Sequence, residues 1–229
     1  MKVLGIETAT SVCAAAVVSD SRVTAERSID SRNVHAEKLL SLIDAALGDA
    51  ALTCHELDSV AVSIGPGSFT GLRIGLSVAK GLAYATSKPL VAVPTLEALA
   101  MNLVDTASAG PFILTALDAR RDEVYCQLFR LENRELAPEW DARDMTVSEL
   151  FEELDGKSVV VVGDGSKKVL SHAGSGDRIA SVTEELSRCS ARTVALLGHA
   201  LLAEGKTVDP AQLEPRYIKE FFLQTHSEG

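Results

Sequence analysis

A glycine-rich turn between an apolar strand and a long helix constrains the fold of this chain more than any other feature. Residues 59–64 have the length and apolar content of a buried strand, and residues 65–71 have the sequence Gly-Pro-Gly-Ser-Phe-Thr-Gly. Helical periodicity follows over residues 72–85. A strand that passes through a tight turn into a helix is typical of α/β folds, and the chain is therefore predicted to be α/β.

Further apolar segments extend this alternation through the first hundred residues. Gly48 stands where a C′ glycine would end the first helix, Thr53 and Glu56 resemble a capping box, and Thr95 is predicted to cap the helix that follows it. The predicted strands are residues 3–6, 13–18, 23–28, 59–64 and 89–93, and the predicted helices are residues 35–47, 72–85 and 95–103.

A cluster of Thr, Ser, Ala, Gly and Pro at residues 105–111 marks the predicted domain boundary. Because the elements beyond it resemble those before it in kind and order, the sequence indicates a duplicated α/β domain. We expect one domain at 1–107, a second at 108–189, a helix at 190–206 that packs back on the first domain, and a tail at 207–229. The predicted elements of the second half are an antiparallel pair at 112–117 and 124–131, a helix from the cap Thr146 to residue 154, a strand at 159–162, and a helix at 191–204 that Gly205 ends.

Charge and composition exclude several classes of function. The 229 residues include 32 acidic and 22 basic side chains, for a formal net charge of −10, and no basic run that could neutralise phosphates, so direct binding of nucleic acid is disfavoured. No apolar run approaches the roughly 20 residues of a membrane-spanning helix, and the N-terminus does not resemble a signal peptide. We expect a cytosolic protein without membrane contact, whose four cysteines are reduced structural thiols.

The glycine turn and two acidic residues are the candidates for a ligand site. The turn could bind an anion through N–H groups of the following helix, but a tight turn or interface loop is favoured, and the Lys-Ser/Thr pair of a Walker A sequence is missing. Glu7 and Asp118 each follow a strand in equivalent positions, where α/β folds place ligands, although solvated turn acids are commoner there. The predicted nucleotide or anion contacts are Glu7, Thr8, Gly65, Gly67, Ser68 and Asp118.

Small residues recur every fourth position from the glycine turn into the helix after it, at Gly71, Gly75, Ala79 and Ala83. Such a ridge lets another backbone approach closely, either in the chain's own sheet or in a helix of a partner. The five histidines contain no pair at metal-ligand spacing, and His35 is favoured as a helix-start or interface residue over a general base.

Further segments stand out together with the glycine turn: residues 65–75, 79–83, 4–10, 39–40, 95–100, 117–125 and 215–217, and His35. These segments resemble the TsaB family, also called YeaZ, of bacterial partner proteins in the synthesis of threonylcarbamoyladenosine on tRNA. The resemblance implies the actin/hexokinase/Hsp70-ATPase (ASKHA) fold, with two related α/β domains built on mixed sheets. It also implies a catalytic relative, TsaD, which transfers the threonylcarbamoyl group, and an ATPase, TsaE.

The chain departs from that catalytic relative at the metal site. The resemblance implies an H-x-E-x-H motif in TsaD, whereas this chain has Thr95 and Leu99 around Glu97. Leucine cannot ligate a metal, so we expect no metal and no catalytic residue in this chain. The turn after Glu7 also lacks the glycine that lets backbone approach a phosphate, which makes kinase activity doubtful.

The resemblance therefore predicts a non-catalytic scaffold that pairs with a TsaD homologue, allows a TsaE homologue to join, and meets tRNA only through the complex. Without its partner, the chain is expected to form a homodimer through the same surface. No cofactor is expected to be required, with ADP or ATP at the partner interface as an option, and the alternative is a nucleotide-dependent phosphotransferase or a metallopeptidase. The predicted interface residues are His35, Leu39, Leu42, Gly71, Arg73, Ile74, Gly75, Val78 and Leu82.

Overall fold

One strand topology occurs twice along the chain. In the computed structural model, which describes residues 1–106 and 111–218, the N-terminal sheet has the order β3-β2-β1-β4-β5. Its strands are β1 (Lys2–Glu7), β2 (Val12–Ser19), β3 (Arg22–Asp30), β4 (Ser59–Ser63) and β5 (Leu90–Val93). Strands β1, β2 and β3 pair antiparallel, and β4 and β5 continue parallel to β1.

The second sheet repeats this arrangement, with the order β8-β7-β6-β10-β11. Its strands are β6 (Phe112–Asp118), β7 (Glu123–Glu132), β8 (Glu135–Pro138), β9 (Arg143–Thr146), β10 (Val159–Val162) and β11 (Ile179–Ser181), with β9 also paired to β7. Strands β6, β7 and β8 are antiparallel, while β10 and β11 are parallel to β6. The predicted α/β class with two related domains is thus confirmed by the strand order and strand directions.

Helices cover both faces of the N-terminal sheet, as its alternating apolar residues require. Leu4 and Ile6 of β1 face helices α1 (His35–Asp49) and α2 (Phe69–Thr86), whereas Val3 lies in a separate cluster with helix α6 (Ala191–Ala203). Glycines set the close approach of α6: a Cβ on Gly5 would lie 2.5 Å from the carbonyl oxygen of Ala191.

The second sheet is covered in the same way by shorter helices. Helices α4 (Val147–Leu154) and α5 (Ser166–His172) pack against one face, with Leu114 in their cluster. Helix α3 (Thr95–Ala100) packs against the other face with Ile113. Among residues 1–106 and 111–218, no helix combines the length and apolar content needed to cross a membrane.

Three predicted details of the helices are wrong. Gly48 lies inside α1, which continues to Asp49 because the backbone N–H of Ala50 still bonds to the carbonyl of Ala46. Helix α2 begins at Phe69, three residues earlier than predicted, because the hydroxyl of Ser68 caps it by accepting from the N–H of Gly71 at 3.2 Å. Thr95 does not cap α3: the N-cap is Pro94, and the last three residues of the predicted helix form a 3₁₀ turn.

Several short elements were not predicted, namely β8, β9, β11 and α5. Each has seven or fewer residues, so its sequence offers little periodicity from which to identify it. Part of the predicted domain boundary, residues 107–110, and the tail residues 219–229, which include His226, lie outside the described residues.

Candidate functional site

Glu7, at the carboxyl end of β1, is not the solvated turn acid that its position suggested. Its side chain is 0% exposed, and Oε1 accepts a hydrogen bond from the N–H of Ala9 at 2.5 Å. Oε2 has no hydrogen-bond partner among the described residues. Burial raises the pKa of Glu7 to about 7, and the hydrogen bond from Ala9 only partly opposes that rise. Glu7 therefore supports the adjacent turn as a buried, easily protonated group.

The glycine turn folds down onto the residues that follow Glu7. The N–H of Ser68 donates to the carbonyl of Ala9 at 2.7 Å, and a Cβ on Gly67 would lie 2.3 Å from the same oxygen. A Cβ on Gly71 would lie 2.1 Å from the carbonyl oxygen of Thr8. The backbone of the glycine turn thus packs directly against Thr8 and Ala9 at the end of β1.

The other end of the glycine turn is held by α3. Gly65 donates its N–H to the hydroxyl of Thr95 at 3.0 Å, and its carbonyl accepts from the N–H of Thr95 at 3.0 Å. A Cβ on Gly65, whose φ is +112°, would meet the carbonyl oxygen of Arg216 at 2.6 Å. These contacts agree with the tight-turn interpretation that the sequence favoured.

Neither metal-ligand position implied by the resemblance fits a metal. The hydroxyl of Thr95 is engaged by Gly65, and Leu99 is 0% exposed in the apolar cluster between α3 and the second sheet. In the part of the chain that the structure describes, no group of three or more His, Cys, Asp or Glu side chains could hold a metal ion.

Asp118 occupies the position in the second half that Glu7 has in the first, but it is exposed and ion-paired. Its Oδ1 accepts hydrogen bonds from Lys168 Nζ at 2.6 Å and from the N–H of Arg120 at 2.7 Å, while its own N–H donates to Asp164. Partial desolvation opposes ionisation, but these hydrogen bonds outweigh it and lower the pKa of Asp118. The carboxylate stabilises the turn after β6.

The predicted small-residue ridge on α2 faces inward. Gly71, Gly75, Ala79 and Ala83 are all buried, and a Cβ on Gly75 would lie 2.2 Å from the hydroxyl oxygen of Thr8. The ridge therefore lets α2 pack closely on the chain's own first domain. This is one of the two packing alternatives that the sequence left open.

The other predicted interface residues divide between the interior and the surface. His35 is the first residue of α1 and is buried, with its Nε2 3.2 Å from the carbonyl oxygen of Val12, and Leu39 is also buried. The partly or fully exposed predicted residues are Leu42, Arg73, Ile74, Val78 and Leu82.

Three of these residues, Arg73, Ile74 and Val78, border an open groove between α1 and α2 with a volume of about 450 Å³. Leu40, 60% exposed, lies on α1 one turn after Ala36 and extends this surface, which we call the α1–α2 face. The residues that line the groove are Ala36, Phe69, Thr70, Arg73, Ile74, Ser77 and Val78.

Sequence reasoning missed Leu40, Phe69 and Tyr217 as part of this surface. Leu40 and Phe69 had a local signal, since each is a large apolar residue on an outward helical position. Tyr217 had none, because it meets Phe69 and Arg73 across about 140 residues of sequence, with ring centroids of Phe69 and Tyr217 5.1 Å apart. Only the folded chain brings Phe69, Arg73 and Tyr217 together.

Comparisons with known proteins identify relatives that share this architecture. Residues 28–206 match the family model described as TsaD: tRNA N6-adenosine threonylcarbamoyltransferase. The chain is 30% identical to the tRNA threonylcarbamoyladenosine biosynthesis protein TsaB of Escherichia coli over 223 residues, which cover 96% of this chain and 95% of that protein.

Solved structures agree with these matches. The structure of YeaZ from Pseudomonas aeruginosa superposes with a TM-score of 0.83 and 27% identity, covering 94% of this chain and 99% of the other. A ROK hexokinase from Thermus thermophilus has a TM-score of 0.50 at 12% identity, covering 90% of this chain and 100% of the other, which supports the fold alone. The ASKHA fold implied by the resemblance is thereby confirmed.

Proposed function

The chain belongs to the TsaB/YeaZ family, and we propose that it is the non-catalytic scaffold subunit of the assembly that adds a threonylcarbamoyl group to tRNA. In this proposal it pairs with a catalytic TsaD homologue, and the pair allows a TsaE homologue to join. The modified residue is the adenosine next to the anticodon. A cytosolic location follows from the tRNA substrate.

The α1–α2 face is the observation that carries this proposal. On this face Leu40 is exposed, and Ile74 and Val78 are half-buried, while the other face of the domain is covered by α6. An apolar surface shared by two adjacent helices is suited to pack against helices of another chain. Because the family model that matches this chain describes TsaD, the partner is expected to present a helical face of related shape.

The residues at the ligand positions support a role without catalysis. Thr95 and Leu99 are committed to internal contacts, and the turn after Glu7 is covered by Gly67 and Ser68. A phosphotransferase would need the N–H groups of that turn to face a phosphate. We therefore propose that the chain holds and orders its partner, while the partner performs the transfer.

The net charge fits this division of roles. At −10, the chain repels the tRNA phosphates, so tRNA is expected to bind to the partner and to meet this chain only within the complex. We propose that no cofactor is required by this chain. ADP or ATP at the partner interface is a separate prediction, which calorimetry on the chain alone and on the complex with ADP would test.

Reconstitution tests the scaffold proposal. The purified chain, the TsaD homologue and the TsaE homologue are combined with threonylcarbamoyl-adenylate and tRNA, and one protein is omitted at a time. Modification should fall to background without this chain. Full-rate modification in its absence would contradict the scaffold role, and transfer by this chain alone would show that it is the enzyme.

A pair of valine variants tests the proposed docking surface. Val78→Asp places a charge on the α1–α2 face, whereas Val23→Asp places the same charge on β3, at a residue that is 38% exposed. Co-purification with the TsaD homologue should be lost for Val78→Asp and retained for Val23→Asp. Gly75 is unsuitable for this test, because a larger side chain there would meet Thr8 inside the domain.

The rival enzyme classes have direct tests as well. A phosphotransferase requires ATP turnover by the purified chain that is lost in Glu7→Ala or Asp118→Ala. A metallopeptidase requires a stoichiometric metal in the purified chain. A positive result in either assay would replace the scaffold proposal.

A further inference from the structure

Arg73 is held in a fixed position on the α1–α2 face by two aromatic side chains. Its Nε donates a hydrogen bond to the hydroxyl of Tyr217 at 3.1 Å, and its guanidinium carbon lies 3.8 Å from the centroid of the Phe69 ring. The rings of Phe69 and Tyr217 are themselves stacked, with an interplanar angle of 29°. The side chain of Arg73 thus has an orientation set by contacts on two sides.

Tyr217 reaches this position because the preceding residues are tied to the first domain. Val208 pairs with Leu90 at the edge of the N-terminal sheet, and Leu213 packs against the core beneath α1 and α2. The N–H of Arg216 then donates to the carbonyl of Ile64 at 2.7 Å. We call residues 208–217 the C-terminal strap.

The guanidinium has hydrogen-bonding capacity that its contacts with the described residues do not use. Nε bonds to Tyr217 and one face of the group covers Phe69, which leaves the terminal nitrogens. Within residues 1–106 and 111–218, Arg73 forms no ion pair with a carboxylate, although the chain is strongly acidic. A guanidinium presents its free N–H groups as a planar fork that matches a carboxylate.

When a partner docks on the α1–α2 face, the unused hydrogen-bonding groups of Arg73 affect the free energy of binding. Arg73 lines the groove beside Ile74 and Val78, so any chain seated there removes water from the guanidinium. A buried cation without a counter-charge is strongly unfavourable, whereas one that meets a carboxylate in a fixed geometry can favour binding. Because Phe69 and Tyr217 already order the side chain, less conformational entropy is lost on docking.

We propose that Arg73 binds a carboxylate of the docking partner, with the C-terminal strap residue Tyr217 acting as a positioning residue. The inference rests on the proposed function, since it assumes that a partner docks on the α1–α2 face. The matching surface of the partner carries apolar side chains for the groove and an Asp or Glu that aligns with the Phe69–Tyr217 end of it.

Calorimetric titration of the TsaD homologue into four variants tests this assignment. Arg73→Met removes the charge, Arg73→Lys keeps the charge but loses the planar fork, and Tyr217→Phe removes only the hydroxyl. Arg192→Met removes an exposed cation from α6 and is the matched control. Urea unfolding of each variant establishes that it is folded.

The expected order of affinity follows from the contacts. Arg73→Met should weaken binding by about 30-fold or more, the lower end of what loss of one partner in a buried charge pair costs. The affinity of Arg73→Lys should lie between those of the wild type and Arg73→Met. Tyr217→Phe should weaken binding by about 2- to 10-fold. Arg192→Met should bind with an affinity within about twofold of that of the wild type.

The outcomes separate this inference from the proposed function. If the wild-type chain binds the TsaD homologue and Arg73→Met binds equally well, the carboxylate contact is wrong and the docking proposal stands. If Arg73→Met weakens binding only when ADP is present, the guanidinium serves a phosphate and the carboxylate contact is again wrong. If the wild-type chain does not bind at all, the docking proposal fails and this inference fails with it.

Discussion

Replacement of Glu7 by glutamine should stabilise the protein at neutral and alkaline pH. The carboxyl group is fully buried, Oε1 accepts from the N–H of Ala9, and Oε2 has no partner among the described residues. Glutamine has nearly the same shape, can accept the same hydrogen bond through its amide oxygen, and never ionises. The variant therefore resembles the protonated form of the wild-type residue at every pH.

The sign of the pH dependence follows from the direction of the pKa change. Burial raises the pKa of Glu7 from its ordinary value of 4.5 to about 7, so the folded chain retains this proton over a pH range in which the unfolded chain has lost it. The free energy of unfolding of the wild type should consequently fall as pH rises from about 4.5 to about 7, and Glu7 should contribute no further change above that range.

The magnitude follows from the same values. A pKa difference of about 2.5, at about 1.4 kcal/mol for each unit, corresponds to about 3 kcal/mol between the fully protonated and fully ionised limits. Glu7→Gln should therefore be more stable than wild type by about 3 kcal/mol at pH 8 and by less than about 1 kcal/mol at pH 5.

Urea unfolding at pH 5, 6, 7 and 8, followed by circular dichroism, measures this difference. The control is Glu135→Gln on β8, the same substitution at an exposed glutamate, which should change the free energy of unfolding by no more than about 0.5 kcal/mol. A Glu7→Gln difference that stays constant from pH 5 to pH 8 would refute the reasoning, because it would mean that Glu7 ionises as easily in the folded chain as in the unfolded one.

Three further predictions concern packing and exposure. Gly75→Ala should destabilise the protein by about 1–3 kcal/mol in urea unfolding, because its Cβ would lie 2.2 Å from the Thr8 hydroxyl oxygen. Gly81→Ala, on the open side of α2, should instead stabilise the protein by about 0.5–1 kcal/mol. Equal effects of the two variants would contradict the inward orientation of the ridge. Asn102→Ala removes the hydrogen bonds that the side chain donates to the carbonyls of residues 186 and 188, and it should lower the free energy of unfolding by about 1–3 kcal/mol. Amide hydrogen exchange over residues 183–190 should become faster. Unchanged exchange would show that Asn102 does not hold this segment in place. Iodoacetamide should label Cys54 first in the folded chain, because burial raises the pKa of the other three thiols. Mass spectrometry follows the labelling of each cysteine. Rapid labelling of all four would contradict the burial of the other three.

Most of the secondary structure and the duplication could be predicted from the sequence, because they depend on local patterns. The apolar run of β4, the glycine turn and the periodic segment that begins at Leu72 are contiguous, and the capping box at Thr146 lies immediately before α4. Signals of this kind depend on residues a few positions apart, so they survive without knowledge of the tertiary fold.

The orientation of faces could not be predicted in the same way. Periodicity along α2 shows that Gly75 and Ala79 lie on one side and Ile74 and Val78 on another, but either side could face a partner. The structure resolves this choice, since Gly75 meets Thr8 inside the domain. The outer side of α2 is therefore the side that carries the exposed Arg73 beside the half-buried Ile74 and Val78.

The sequence by itself thus determined an α/β chain built from two related halves, with a glycine turn that lacks the Walker A lysine and with Thr95 and Leu99 where the resemblance implies metal ligands. Only the tertiary structure decided that Glu7 is buried and that Tyr217 contacts Arg73. Burial and long-range contacts depend on which distant segments cover a residue. Arg73 and Tyr217 are separated by about 140 residues, and no local sequence pattern predicts a contact over that distance.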